Sequence, residues 1–371
     1  MDLCQPGTRR PKQAYQPRVE LKNEPIVAMG SANGVVSVTL HSSQCMYEPF
    51  AREIVSRRGP GSICVLTQTN EDAVVIVALL RKLGVQSKLI QSMDGFRFWN
   101  MSETRFFLKC LESKTNTPLI TDDVWEEAKR KTFDVYATSE SLHYLRRCLA
   151  LFEKTTRSKY LSDFKDFVFE SSVEDFCDIS GTDVVVSTIH KSKGREFDDV
   201  FMLVMAPREI SDDVLRRFYV GMTRAKQRLF IHTNSTLFEG MRTDERMFDP
   251  NLYEMPNEVV LQLSHKDVNL GYFKIRKKTI LALRSGEQLR FENNFLYDYK
   301  TNLSVCQLSQ RMQSQLSAWE ERGYRVGSAV IRFVVSWRPK DAPKREDESA
   351  VLLVDLNLVK TNPLIPLIRD E

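Results

Sequence analysis

A chain of 371 residues is too long for one ordinary hydrophobic core, so two or three domains are expected. Its 42% hydrophobic and 27% charged residues are those of a soluble globular protein, and no stretch reaches the ~18 apolar residues of a membrane span. The net charge of +4 permits a polyanionic partner without demanding one.

The first residues, "MDLCQPGTRRPKQAYQPRVE", carry no apolar core of a secretory signal and read as a loose basic tail over 1–33. Seven cysteines (Cys4, Cys45, Cys64, Cys110, Cys148, Cys177 and Cys306) form an odd, scattered set without a C-x-x-C pair. That pattern argues against a disulfide framework and a structural zinc site, and a reducing cytoplasm is the expected compartment.

From residue 34 strands and helices alternate. "GVVSVTL" (34–40) predicts a strand, and "MYEPFAREIVSRR" (46–58) has helical apolar spacing that Gly59-Pro60-Gly61 stops. "SICVLTQT" (62–69) reads as a strand buried on both faces. Asn70 is the expected cap of a helix over 71–83 that Gly84 ends, and "VQSKLI" (85–90) is a strand again. Short-looped units of this kind imply a parallel sheet covered by helices.

Residues 101–180 are charged, helical in period and poor in Gly, with "DDVWEEAKRK" and "SLHYLRRCLALFEK" as amphipathic helices. The α/β pattern then resumes. Strands are predicted at "DVVVSTI" (183–189), "DVFMLVM" (199–205) and "RLFIHT" (228–233), with a Ser211-capped helix over 211–227 whose apolar stripe is 214, 215, 218, 219 and 222. After about 245 come strand-like stretches, one helix within 308–323, a solvated loop at 338–349 and a basic strip, "HKDVNLGYFKIRKK" (265–278), which reads as a solvated face. The expected class is therefore α/β: a parallel sheet with helices on both faces (34–100 and 181–245), a helical insertion (101–180) and a small β-rich α+β module (246–371).

The charged loop between the strands ending at 189 and beginning at 199 stands at the carboxyl end of a parallel strand, where open sheets bind ligands. Gly194 lets backbone approach a ligand, Glu196 can accept from a sugar hydroxyl, Thr188 and His190 can donate to phosphate, and Lys191 and Lys193 add charge. A merely solvated turn is the competing reading. Arg224 and Lys226, read as the last turn of the 211–227 helix, can complement its dipole, or Arg224 can reach a phosphate. Tyr219 reads as core.

Taken together, "VSTIHKSKGREFDDVFM" and, about twenty residues on, "RRFYVGMTRAKQRLFI" resemble motifs V and VI of superfamily 1 helicases of the UvrD/Rep type. "SMDGFRFWNMSETRFFLKCL" (92–111) resembles the family's GGxxFFxRxEIKD segment. The resemblance covers about 35–240. It implies a RecA-like second motor domain in which Arg224 contacts the ATP γ-phosphate, Glu196 the ribose and Gly194 the backbone beside it. Thr188, His190 and Lys193 fall on the single-stranded DNA side, and Phe96, Arg97 and Trp99 flank the DNA track, with a packed aromatic turn as the alternative for the last three. Two positions depart from the family: its Leu is Arg195 and its Ala is Gly221. No G-x-x-x-x-G-K-[ST] loop occurs, so the chain looks like the C-terminal half of a motor, with ATP and Mg2+ bound mainly by an N-terminal P-loop domain in cis or trans.

The expected function is that half of a bacterial, cytoplasmic, ATP-dependent 3′–5′ DNA helicase, incomplete as an ATP hydrolase by itself and acting on single-stranded or partly duplex DNA. A non-catalytic DNA-binding or adaptor module with a motor-like fold is the rival.

Overall fold

The structure, a computed structural model, describes residues 34–90, 96–113, 117–177, 184–192, 194–338 and 349–361. The expected tail, Lys193 and most of the 338–349 loop lie outside these residues.

The first part of the sheet domain runs β1 (Val35–His41), α1 (Tyr47–Arg57), β2 (Ile63–Thr67), α2 (Asn70–Lys82) and β3 (Ser87–Leu89). Then come four helices, α3 (Ser102–Glu112), α4 (Asp122–Val135), α5 (Leu142–Thr155) and α6 (Leu161–Glu170). The sheet resumes with β4 (Val184–Thr188), β5 (Phe197–Val204), α7 (Asp212–Met222), β6 (Ala225–Thr233) and β7 (Glu245–Asp249). Its seven strands are all parallel, in the order β3-β4-β2-β5-β6-β1-β7. The edge strand β7 was not anticipated, because its side chains are largely exposed and show no burial pattern.

Period-two alternation sorts the strand residues into two cores. Ile63, Val65, Val184, Val186, Phe201, Leu203 and Phe230 face α1 and α2. Cys64, Leu66, Val185, Val200, Met202, Leu229 and Ile231 face Phe218 of α7 and Ile189. A sheet buried on both faces needs strands with near-continuous apolar runs, which Ile63–Leu66 supply before the buried Thr67 hydroxyl donates to the Thr69 carbonyl.

Local chemistry sets the helix ends. Thr69, not Asn70, caps α2: its backbone is extended and its hydroxyl accepts from the Asp72 N–H at 3.1 Å. Gly84, at φ +77°, ends that helix. Ser211 caps α7 as expected. That helix stops at Met222 rather than 227, because the residues after it pair with β5, Ala225 opposite Phe197. Arg224 therefore sits in the turn between α7 and β6, not in a last helical turn.

The final part contains β8 (Glu258–Gln262), α8 (Leu270–Ile275), α9 (Lys277–Ala282), β9 (Gln288–Glu292), β10 (Phe295–Asp298), β11 (Ser304–Gln307), α10 (Gln310–Glu320), β12 (Tyr324–Trp337) and β13 (Ser349–Lys360). Its antiparallel sheet has the order β11-β10-β9-β12-β13-β8. The basic strip 265–278 contains the short helix α8 and the first residues of α9, and Phe273 within it is buried.

This β-rich part shares its core with the rest. One apolar cluster joins Leu80 and Val85, the insertion residues Phe107, Trp125 and Phe164, and the module residues Val259, Leu261, Phe333 and Val335. Met101 forms a β-bridge with Val335, and Asn100 Nδ2 donates to the Ser336 carbonyl at 3.0 Å. Among the described residues no helix is long and apolar enough to cross a membrane.

Candidate functional site

β4 and β5 are consecutive and parallel, with β2 lying between them. The connection 189–196 must therefore cross over β2 and return to the opposite edge. Register fixes both ends: Thr188 stands opposite Thr67, the last residue of β2, and Asp199 opposite Ile63, the first. Four strand steps, about 13 Å, separate those levels. The expectation that the whole loop lies at the carboxyl edge is thus corrected. Thr188 and His190 are at the carboxyl edge, while Gly194, Arg195 and Glu196 lead into the amino edge.

At the carboxyl edge Thr188 is buried and His190 is exposed. His190 belongs to a 3-10 turn, Ile189–Ser192, in which the Ser192 hydroxyl donates to the Ile189 carbonyl at 2.7 Å. Lys191 Nζ donates to Asn70 Oδ1 at 2.6 Å, which anchors the turn on the first residue of α2. The Lys191 charge is therefore tied to a protein group.

At the amino edge Gly194 takes φ +82° and nothing lies within 4 Å of where its Cβ would be. Its glycine answers a backbone demand, not a packing one. Glu196 is exposed beside it. Arg224 is half-buried and its guanidinium is fastened at three points. Nε donates to the Val220 carbonyl at 2.9 Å, Nη1 to the Arg195 carbonyl at 3.2 Å and Nη2 to the Thr223 hydroxyl at 3.1 Å. A guanidinium has five N–H donors, so two remain for a phosphate, the number a bidentate contact uses. The Phe197 N–H returns a bond to the Arg224 carbonyl at 2.9 Å. The two motif-bearing segments are thereby cross-linked.

Both departures from the family pattern acquire physical reasons. A Cβ on Gly221 would lie 2.8 Å from Met202 Cε and 3.3 Å from Ile189 Cγ2, so the glycine lets α7 press onto the crossover turn. Arg195 sends Nη2 to the Glu174 carbonyl at 2.7 Å, which ties the crossover to the end of the insertion. Tyr219, expected in the core, is 48% exposed, as is Leu215 at 43%; only Phe218 and Gly221 of α7 are buried. The stripe read from the sequence is wider than the face the sheet covers.

A third group follows β3, whose carboxyl end lies beside that of β4. Phe98 is fully buried, and its neighbours are not. Phe96 meets His265 edge-on at 5.6 Å, Arg97 lies over Phe169 at 4.6 Å, and Arg105 lies over Trp99 at 4.9 Å. Reading the sequence passed over Phe169, Arg105 and His265. The available signal was Phe169, an aromatic that falls off the buried Phe164–Val168 stripe of α6.

The amino edge also holds an open cleft of about 630 Å³ lined by Arg57, Arg58, Gly59, Gly61, Asp198 and Arg228. Arg57 is paired there with Glu53 and Glu245, and Arg228 with Asp199. Arg224 is not part of its lining. Among the described residues no group of three or more His, Cys, Asp or Glu is placed to hold a metal ion.

Residues 121–236 match the family of the UvrD-like helicase C-terminal domain. No curated protein matches the chain. Among solved structures, the C-terminal domain of a possible DNA helicase from Lactobacillus plantarum WCFS1 is similar at 13% identity and a TM-score of 0.26, covering 55% of this chain and 74% of that one. A likeness so slight adds nothing to the argument. The family match spans both motif-bearing segments and the insertion from residue 121 onward, so that part of the chain is similar to a UvrD-like helicase C-terminal domain.

Proposed function

We infer that this helicase motor half contributes one wall of an ATP site and part of a single-stranded DNA track, and that a P-loop domain in cis or trans supplies the other wall with its Mg2+. The observation that carries this reading is the crossover. One eight-residue connection, 189–196, runs from Thr188 and His190 at one edge of the sheet to Gly194 and Glu196 at the other, where Arg224, from the turn after α7, donates to the Arg195 carbonyl. Chemistry and track are then separate places joined by one segment.

In this reading the two spare Arg224 donors meet the γ-phosphate, where charge stabilisation is the main catalytic lever. Glu196 accepts from the ribose, and the Gly194 turn lets backbone come close. Thr188 and His190 meet the DNA backbone, and Phe96, Arg97 and Trp99 flank it. The exposed face of α7, with Leu215 and Tyr219, is available to the partner domain. Translocation runs 3′ to 5′, as the family resemblance implies.

The test is ATP turnover by the full chain, with and without single-stranded DNA, alone and with a UvrD-type P-loop domain added. No turnover alone and DNA-stimulated turnover with the added domain are expected. Arg224→Ala should lower that turnover by about 10³-fold and leave DNA affinity intact. Turnover by the chain alone would reveal a phosphate loop of another form, and unchanged turnover in Arg224→Ala would remove that residue from the site.

A further inference from the structure

Arg97 belongs to a rigid turn. Its backbone N–H donates to Asn100 Oδ1 at 3.0 Å, and Asn100 is in turn fixed to β12 through the Ser336 carbonyl. The side chain is exposed, yet its place is set by another element. Its guanidinium carbon lies 4.6 Å from the centre of the Phe169 ring, and Nη1 donates to the Phe169 carbonyl at 3.2 Å. Phe169 lies in the last turn of α6, outside the stripe that α6 buries, and is 51% exposed. Trp99 meets Phe169 edge-on at 6.4 Å, and Arg105 covers Trp99. Along this ridge two touching rings lie between two cations: Arg97, Phe169, Trp99, Arg105.

We propose that Arg97 is a stacking platform for a base of single-stranded DNA, and that Phe169, from the insertion, is the residue that positions it. The inference rests on reading this chain as the bearer of a DNA track. A guanidinium is planar, delocalised and weakly hydrated, so one face can lie on a ring while the other takes a base. A free arginine of this length would sample many rotamers. The ring contact and the carbonyl bond together restrict it, so less entropy is lost when a base arrives. The positive charge of Arg97 and Arg105 suits the phosphates that accompany the base, and every base offers a π-face, so the platform is sequence-tolerant.

The test is fluorescence anisotropy with the full chain and a labelled thymidine oligonucleotide of about 15 nucleotides, beside an abasic strand of the same length. The unsubstituted chain should prefer the strand with bases. Phe169→Ala should weaken binding to that strand by about tenfold and leave the abasic strand unaffected. Phe169→Tyr should restore the preference. Arg97→Lys, which keeps the charge and loses the plane, should behave as Phe169→Ala. Equal binding of both strands by the unsubstituted chain, or undiminished preference in Phe169→Ala, overturns the platform while leaving the motor reading intact. A Phe169→Ala loss that is the same on both strands overturns it too, since charge or fold is then at fault. No binding of either strand by the unsubstituted chain overturns the motor reading and this inference with it.

Discussion

Two buried histidines form the most unusual polar contact in the sheet. His41 Nε2 lies 2.8 Å from His232 Nδ1, and His232 Nε2 lies 2.7 Å from Glu53 Oε2. Two neutral rings satisfy both contacts when the protons point one way, from His41 to His232 and on to Glu53. His41 Nδ1 is then a bare acceptor 3.0 Å from Asp249 Oδ2, a clash that protonating His41 would relieve. Burial opposes that charge, as does His232, and together they outweigh the pull of Asp249 and Glu53 and bring His41 down to about 4. Around the pair stand Glu53 and Arg57 from α1, Glu245 and Asp249 from β7, and Tyr253. Because His41 binds a proton less readily folded than unfolded, acidification from about pH 6.5 toward 4 should favour unfolding, by about 3 kcal/mol in all. Glu53 and Asp249 add a later loss. Burial raises both, but hydrogen bonds to each carboxylate and nearby positive charge hold them below the usual carboxylate range, so their stabilisation disappears as pH falls through those depressed values. Urea midpoints measured from pH 7 to 4 should show the slope, and His41→Asn should flatten it above pH 4. An unchanged slope in that variant would place the titration elsewhere.

At the scale of the element, the contact of α7 with the crossover decides how well the amino edge is held. Gly221→Ala should cost about 1–2 kcal/mol, since the added methyl meets a flexible methionine end that can yield only in part. Met202→Ala made together with it should recover part of the loss, and chemical denaturation of the two variants checks this. Removing the α2 cap by Thr69→Ala should cost about 1 kcal/mol, whereas Asn70→Ala should leave the cap intact and remove the bond from Lys191 instead. That one-residue difference illustrates what the sequence makes legible. "TN" announces a helix start, but which residue caps depends on Lys191 claiming the Asn70 side chain from 121 residues away. Strand and helix order were readable because apolar runs such as "ICVLT" and stops such as Gly84 are local signals. The end of α7 was not, because Ala225 is taken into β6 by its pairing with Phe197. Nor was the exposure of Tyr219, because a stripe records which side faces inward and not how far the covering surface extends. The motif residues stand out as a sequence pattern, while the contact of Phe169 with Arg97 does not, since its partners are 72 positions apart.

For the whole molecule, the shared core means that the parts support one another. Removing residues after 249 would bare Phe98, Met101 and Leu80, which now pack into the same cluster as Phe333, Val335 and Leu261. A fragment of residues 34–249 should therefore bind a hydrophobic dye and self-associate on gel filtration, where the full chain runs as one species. A well-behaved fragment would show that the module is dispensable for folding. The crossover has a mechanical side as well. From Thr188 to Phe197 the path drops about 20 Å and steps two strands sideways, a straight line of about 22 Å. Four residues of the connection are coiled in a 3-10 turn at about 2 Å each, so its full reach is only about 25 Å. It is a tether with almost no slack. In the proposed motor, a shift at the carboxyl edge would be felt at the amino edge because the cord between them has no length to give. One glycine inserted after Gly194 would add about 3.4 Å of play, enough to let each edge bind as before while turnover stops responding to DNA.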